Sequence, residues 1–187
     1  CSVADDSFYE KAIAFAKKYN VILLHDNAYS DIIFGGKEGK SFLSYKGAME
    51  VGIEFYSLSK SYNMTGMRIS FALGNKDVIQ MFRKVRSQID YGIFLPIQKA
   101  AVAALTGPQD NVKEQCRIYE ERNYALCRGM SSIGWKIPDG QGTMFVWAPI
   151  PDNYTSSEKF TLDLMEKTGM IVTPGTAFGD LGEGYVR

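Results

Sequence analysis

The spacing of apolar residues along the chain predicts five helices. They cover residues 7–20, 75–89, 96–107, 109–133 and 156–169. In the first helix, the capping-box pattern Ser7-Phe8-Tyr9-Glu10 marks the start, and Phe8, Ala12, Phe15 and Tyr19 share one apolar face. The fourth is the longest, and its stripe of Val112, Cys116, Tyr119, Asn123, Leu126, Met130 and Ile133 indicates one packed face that stops at Gly134.

Short apolar runs between these helices predict strands. They cover residues 21–25, 53–57, 69–73, 143–148 and 170–173. The continuous run from Val21 to His25 is typical of a strand that is buried on both faces. The connection between the second and third strands is too short for a helical crossover, so these two should run antiparallel.

The order of these elements predicts an α/β fold, with a mixed sheet and helices followed by a smaller α+β unit. Asn75 should cap the second helix, Pro96 should open the third, and Gly169 should close the last. We expect the domain boundary in or before the long helix, with residues 1–108 in the first domain and residues 109–187 in the second. A length of 187 residues agrees with one or two domains.

Charge and composition exclude several partners. The 21 basic and 21 acidic residues cancel, so nothing indicates binding to nucleic acid or to an anionic membrane. No apolar run is long enough to span a bilayer. The three cysteines, at positions 1, 116 and 127, have no metal-ligand or disulfide spacing, and His25 is interpreted as a packed residue, so no metal is expected. The cytoplasm is the default location.

The segment from Ser57 to Arg68 carries the most informative chemistry. Lys60 offers an amine that can form a Schiff base with an aldehyde, because a lysine shielded from water loses its proton most readily. Ser57 and Ser59 offer hydroxyls, and Arg68 offers a planar guanidinium that suits two-point contact with a phosphate. The set fits pyridoxal phosphate, although a lysine taken alone is usually a surface charge.

A second polar group follows the first predicted strand. Ligands of open α/β sheets collect at the carboxyl ends of the strands, where Asp26, Tyr29, Ser57 and Lys60 should converge. A carboxylate there can pair with a protonated pyridine nitrogen, and a tyrosine hydroxyl can contact a phenolic oxygen. Separately, Asp26 reads as a turn residue and Tyr29 as a half-buried aromatic.

These residues resemble the class I and II aminotransferases, the fold-type I enzymes that use pyridoxal phosphate. Asp26-Asn27-Ala28-Tyr29 is similar to the family's aspartate-x-x-tyrosine motif, and Ser57-Leu58-Ser59-Lys60 with Arg68 is similar to its lysine motif. Gly184-Tyr185-Val186-Arg187 resembles the segment whose arginine grips the α-carboxylate of the substrate. The whole pattern looks closest to the LL-diaminopimelate aminotransferase-like branch.

The resemblance implies a catalytic lysine at position 60, coenzyme contacts from Asp26, Tyr29, Ser57, Ser59, Lys60 and Arg68, and a substrate contact from Arg187. It further implies amino-acid and 2-keto-acid substrates and a homodimer. We expect the chain to be the carboxyl-terminal half of the enzyme and to be inactive alone. Two alternatives remain open: a carbon–sulfur lyase of the same fold, and the aminotransferase-like effector domain of a transcription regulator.

Overall fold

The computed structural model describes residues 1–187 and divides the chain into two compact units. One unit is Val3–Arg117, and the other is Cys1–Ser2 with Ile118–Arg187. The helices are α1 (Asp6–Tyr19), α2 (Ala48–Val51), α3 (Leu58–Ser61), α4 (Lys76–Arg86), α5 (Leu95–Thr106), α6 (Asp110–Ser132) and α7 (Ser157–Thr168). The strands are β1 (Leu23–Asp26), β2 (Gly52–Ser57), β3 (Ser70–Gly74), β4 (Ala148–Pro149) and β5 (Tyr185–Val186). No helix combines the length and the apolar character that crossing a membrane requires.

The unit Val3–Arg117 is built on a mixed sheet in the order β1-β2-β3. β1 pairs with β2 in parallel, with Asp26 opposite Phe55. β2 pairs with β3 antiparallel, with Ser57 opposite Ser70, so the predicted antiparallel pair is confirmed. Because β1 and β2 are parallel, their carboxyl ends lie at the same edge of the sheet.

The prediction that the first strand is buried on both faces is wrong. Leu23 packs against the apolar cluster of Ile13, Phe42 and Ala48. Leu24, the next residue of β1, is 66% exposed. Neighbouring side chains of a strand point to opposite faces. The face that carries Leu24 is covered at β2, where Ile53 is buried and Phe55 contacts Phe82, but not at β1.

The first helix begins earlier than its capping-box pattern predicts. Asp5 is the N-cap, and its carboxylate accepts a hydrogen bond of 2.8 Å from the backbone N–H of Phe8. Ser7 lies inside the helix, and its hydroxyl donates to the same carboxylate oxygen. The ionised carboxylate is the stronger acceptor for the first-turn amides, which explains why the cap lies two residues upstream of Ser7.

The predicted apolar face of α1 is also wrong. Ile13 and Ala16 are the buried residues of this helix. Phe8, Phe15 and Tyr19 lie on another side and are more than half exposed. The aromatic residues therefore give the strongest periodic signal, but smaller side chains form the face that packs within this unit.

The helices in the middle of the chain largely follow the sequence. Asn75 caps α4 and accepts hydrogen bonds from the backbone of Asp77 and Val78, as predicted. α5 has Pro96 in its first turn and ends before Gly107, also as predicted. No residue of the apolar stripe of α4 is fully buried in this unit, although Phe82 packs edge-to-face on Phe55 of β2.

In the long helix α6, only part of the predicted stripe packs. Asn123 of that stripe is buried, and so is Cys127, which lies outside it, whereas Leu126 and Ile133 are exposed. The polar interruption that the sequence shows at Asn123 is satisfied, because its side-chain oxygen accepts a hydrogen bond of 3.0 Å from the backbone N–H of Gly140. The boundary between the two units falls within this helix.

The unit that contains Ile118–Arg187 has a core of Cys127, Ile137, Ala148, Phe160 and Val186. Two predicted strands are corrected here. Of residues 143–148 only Ala148 joins a strand, and residues 170–173 form none. Strand β5 pairs with β4. On its other side, Val186 of β5 forms an isolated antiparallel bridge with Pro174. In this bridge Thr173 and Arg187 exchange two backbone hydrogen bonds of 2.9 and 2.8 Å. Helix α7 has Ser156 as its N-cap and, as predicted, Gly169 as its C-cap.

Candidate active site

Lys60 lies on the short helix α3, directly after β2. It is half-buried, and its Nζ lies 5.9 Å from the centroid of the Tyr29 ring. No carboxylate lies within ion-pair distance of this amine. The fold therefore brings together two residues that the sequence separates by 31 positions and leaves the amine available to a ligand.

An apolar core holds α3 in place. Leu58, Ile69 and Ala101 are buried and form one cluster beneath it. The side chain of Ser57 caps the helix by accepting a hydrogen bond from the backbone N–H of Ser59. The Ser57 cap and the apolar cluster together fix the position of α3 and, with it, the backbone of Lys60.

Asp26 and Tyr29 come from the end of β1 and the loop that follows it. Asp26 is exposed at the end of its strand. The backbone N–H of Asn27 donates to the carbonyl of Phe55 at 2.9 Å, which continues the pairing with β2 into this loop. The backbone of Asp26 is consequently held at the edge of the sheet where β2 leads into Lys60.

The predicted phosphate ligands Ser59 and Arg68 flank a tight turn after α3. Thr65 joins them: its hydroxyl donates to the carbonyl of Ser59 at 2.8 Å, and its own carbonyl accepts from Arg68 at 3.1 Å. Arg68 is exposed and has a φ of 50°, a left-handed conformation that is uncommon for residues other than glycine. Such conformations concentrate at ligand-binding sites.

Arg187 belongs to the other unit and lies between two aromatic rings. Its guanidinium carbon is 4.4 Å from the ring centroid of Phe145 and 4.6 Å from that of Phe178. Both rings contact the guanidinium by cation–π interaction, which does not use the N–H donors at the edge of the guanidinium plane. A planar carboxylate is the acceptor that this edge fits best.

The loop before β5 depends on two glycines. A Cβ on Gly175 would lie 1.9 Å from the carbonyl oxygen of Gly182. Only two backbones without side chains can approach so closely, and this contact places Phe178 in the loop that ends in β5.

Sequence reasoning did not identify a buried acid on β2. Glu54 is 5% exposed, and one of its oxygens accepts hydrogen bonds from His25 Nδ1, the Ser41 hydroxyl and the Phe42 amide. Burial opposes ionisation, but the hydrogen bonds from His25, Asn27, Phe42 and Ser41 outweigh it and lower the pKa of Glu54. His25 is a packed residue, as the sequence indicates, and it holds this carboxylate.

A second carboxylate that sequence reasoning missed is Asp31. It accepts hydrogen bonds from the hydroxyls of Tyr56 and Ser61. Its place two residues after Tyr29 could have suggested a link to the site, but nothing in the sequence shows which hydroxyls it reaches. No group of three histidine, cysteine or acidic side chains has metal-binding geometry.

Comparison with known proteins identifies the family. The profile of the family "Aminotransferase class I and II" matches residues 2–187. The chain belongs to this family. It is 45% identical over 186 residues to an LL-diaminopimelate aminotransferase of Halothermothrix orenii and 46% identical to one of Moorella thermoacetica, covering 100% of this chain in each case.

Solved structures agree with this assignment. The apo form of BacF from Bacillus subtilis superimposes with a TM-score of 0.95 at 41% identity, over 100% of this chain and 47% of that one. An aminotransferase from Staphylococcus aureus gives a TM-score of 0.93 at 34% identity, over 100% of this chain and 49% of that one. The chain spans about half the length of the curated relatives it matches, 48% and 47% for the two named above. The predicted family and the fold class are thereby confirmed.

Enzymes of the class I and II aminotransferase family use pyridoxal phosphate. The donor set of the present chain fits that group on its own geometry. Lys60 has no carboxylate partner, the edge beside it carries the exposed acid Asp26, and an exposed guanidinium stands at the turn after α3. The individual roles of these residues stay predictions.

Proposed function

We propose that the complete enzyme, meaning this chain together with the half that its relatives carry in addition, transfers an amino group from an amino acid to a 2-keto acid. The observation that carries the proposal is the position of Lys60 at the carboxyl edge of the sheet, over the Tyr29 ring and without an acidic partner. When bound, pyridoxal phosphate supplies the aldehyde and the electron-withdrawing ring for this transfer.

Lys60 contributes the amine that anchors the coenzyme and later acts as the general base that moves a proton at the substrate α-carbon. Asp26 supplies the carboxylate that keeps a ring nitrogen protonated. Tyr29 lies beside the amine, and its hydroxyl would contact the phenolic oxygen of the coenzyme. Ser57, Ser59 and Arg68 supply hydroxyls and a guanidinium for the phosphate.

Arg187 supplies the substrate contact. Its guanidinium is held against the rings of Phe145 and Phe178, so its N–H groups would bind a carboxylate without further ordering of a long side chain. Less side-chain entropy is then lost on binding than for a free arginine. The names of the relatives make LL-diaminopimelate the first amino acid to test as substrate.

The same proposal includes a homodimer in the cytoplasm. Large apolar side chains such as Phe8, Phe15 and Val85 are more than half exposed in this chain, as expected of surfaces that other parts of an assembly cover. None of the three cysteines forms a disulfide, which suits a reducing compartment.

The experiment is borohydride trapping in the complete enzyme. We expect reduction to fix the coenzyme on Lys60, and LL-diaminopimelate with 2-oxoglutarate to yield glutamate. Lys60→Ala should abolish both, whereas Lys46→Ala, at an exposed lysine of the same unit, should leave both unchanged. A reduced adduct on another lysine would contradict the assignment, and release of thiol and pyruvate from cysteine-like substrates would favour the lyase.

A further inference from the structure

Two segments of the proposed site are joined by a single carboxylate oxygen. Asp31 Oδ2 accepts a hydrogen bond of 2.7 Å from the Tyr56 hydroxyl and one of 2.5 Å from the Ser61 hydroxyl. Asp31 lies in the loop after β1, two residues from Tyr29, and Ser61 lies on α3, next to Lys60. The oxygen therefore connects the loop that carries Tyr29 with the helix that carries Lys60.

Both donors are well placed for strong bonds. Ser61 is 2% exposed, so its hydroxyl has no access to bulk water. Burial, and then the hydrogen bond to Asp31, raise the pKa of Tyr56, which keeps this hydroxyl protonated as a donor. Hydrogen bonds to a charged group out of water are stronger than those between neutral groups.

The loop on the other side of Asp31 is also anchored. The backbone N–H of Ile32 donates to the carbonyl of Tyr29 at 3.0 Å, and the side chains of Ile32 and Phe34 are buried. A displacement of Asp31 would therefore also displace the turn that holds Tyr29. The hydrogen bond from the Ser61 hydroxyl to the Asp31 carboxylate links the position of this turn to that of α3.

We propose that Asp31 is a positioning residue, which sets the place of the Lys60 amine relative to the Tyr29 ring through its hydrogen bond to Ser61. This inference rests on the proposed function, because it concerns the residue that anchors the coenzyme. Asp31 makes no contact with the ligand itself in this role.

The test separates positioning from general stability by cutting one link at a time in the complete enzyme. Ser61→Ala removes the link to α3, whereas Tyr56→Phe removes the link to β2 and leaves Ser61 bonded. Three quantities are measured: the dissociation constant of pyridoxal phosphate, the fraction fixed on Lys60 by borohydride, and the unfolding of the coenzyme-free protein in urea.

We expect Ser61→Ala to raise the dissociation constant about tenfold, the equivalent of one lost hydrogen bond, and to lower the trapped fraction. Tyr56→Phe should change both less than about threefold. Equal effects of the two variants, or effects that only follow the loss of stability, would overturn the inference.

A second pair of variants keeps the geometry and removes the charge. In Asp31→Asn, an amide oxygen can still accept both hydrogen bonds, so coenzyme binding should stay near that of the unmodified enzyme. Asp31→Ala should match Ser61→Ala. If Asp31→Asn is as defective as Asp31→Ala, the charge rather than the position is decisive and the inference fails. Absence of any adduct on Lys60 in the unmodified enzyme would instead overturn the proposed function and, with it, this inference.

Discussion

Replacing Glu54 should cost more stability than any other single change at an acidic residue of the Val3–Arg117 unit. Its carboxylate is nearly inaccessible and accepts hydrogen bonds from His25, Ser41 and the backbone of Phe42. In Glu54→Ala these donors lose their acceptor, and the Phe42 amide stays buried without a partner. Each buried donor that is left without its acceptor costs about 1–3 kcal/mol, and three donors lose theirs here. That is a large part of the roughly 5–15 kcal/mol by which domains are stable.

Glu50→Ala is the matched control, because Glu50 lies four residues earlier in the chain. Its carboxylate pairs with Lys17 at 2.8 Å, but its side chain is 69% exposed. Exposed ion pairs contribute about 0–1 kcal/mol, so this variant should unfold at nearly the same urea concentration as the unmodified protein. Urea titration followed by circular dichroism measures both.

The pH dependence gives the sharper test, with Glu54→Gln as the variant because glutamine does not titrate. Folding lowers the pKa of Glu54, so the ionised carboxylate favours the folded state. The stability difference between the unmodified protein and Glu54→Gln should be complete above the ordinary glutamate pKa of about 4.3. It should shrink as the pH falls through the lower pKa of the folded protein. A difference that stays constant across this range would refute the argument.

Three further outcomes are expected. Phe178→Leu should raise KM for the amino-acid substrate about fivefold with little change in kcat. It removes one of the two rings on Arg187, a contact of about 1 kcal/mol. An unchanged KM in steady-state kinetics would contradict the role of this ring in positioning the arginine. Gly175→Ala should lower the thermal unfolding temperature, since its Cβ would collide with the Gly182 carbonyl, whereas Gly129→Ala, at a helical position with open space, should not. Asn75→Ala should cost about 1 kcal/mol in urea unfolding through loss of the helix cap.

Local patterns predicted the elements that depend on local chemistry. Asn75 caps its helix because its side-chain oxygen reaches amides two and three residues ahead, and Gly169 ends α7 because it adopts a positive φ of 73°. The antiparallel pairing of β2 and β3 follows from the short connection between them. Each of these features depends on residues that are close together in the sequence, so the sequence alone is enough to predict it.

Burial could not be read in the same way. The aromatic residues of α1 form the strongest apolar stripe, but Ile13 and Ala16 form the face that packs. Similarly, Leu24 lies in a continuous apolar run and is nevertheless exposed. Which face of an element is covered depends on the position of its neighbours, and periodicity carries no information about that.

The sequence by itself determined the family motifs and the side chains that suit a coenzyme: the amine of Lys60, the acid Asp26 and the guanidiniums of Arg68 and Arg187. Only the tertiary structure decided how these side chains are held. It placed the Lys60 amine over Tyr29, tied their two segments through Asp31, and enclosed the Arg187 guanidinium between Phe145 and Phe178. The physical reason is that a residue type fixes which bonds a group can form, whereas packing of distant segments fixes which partners it meets.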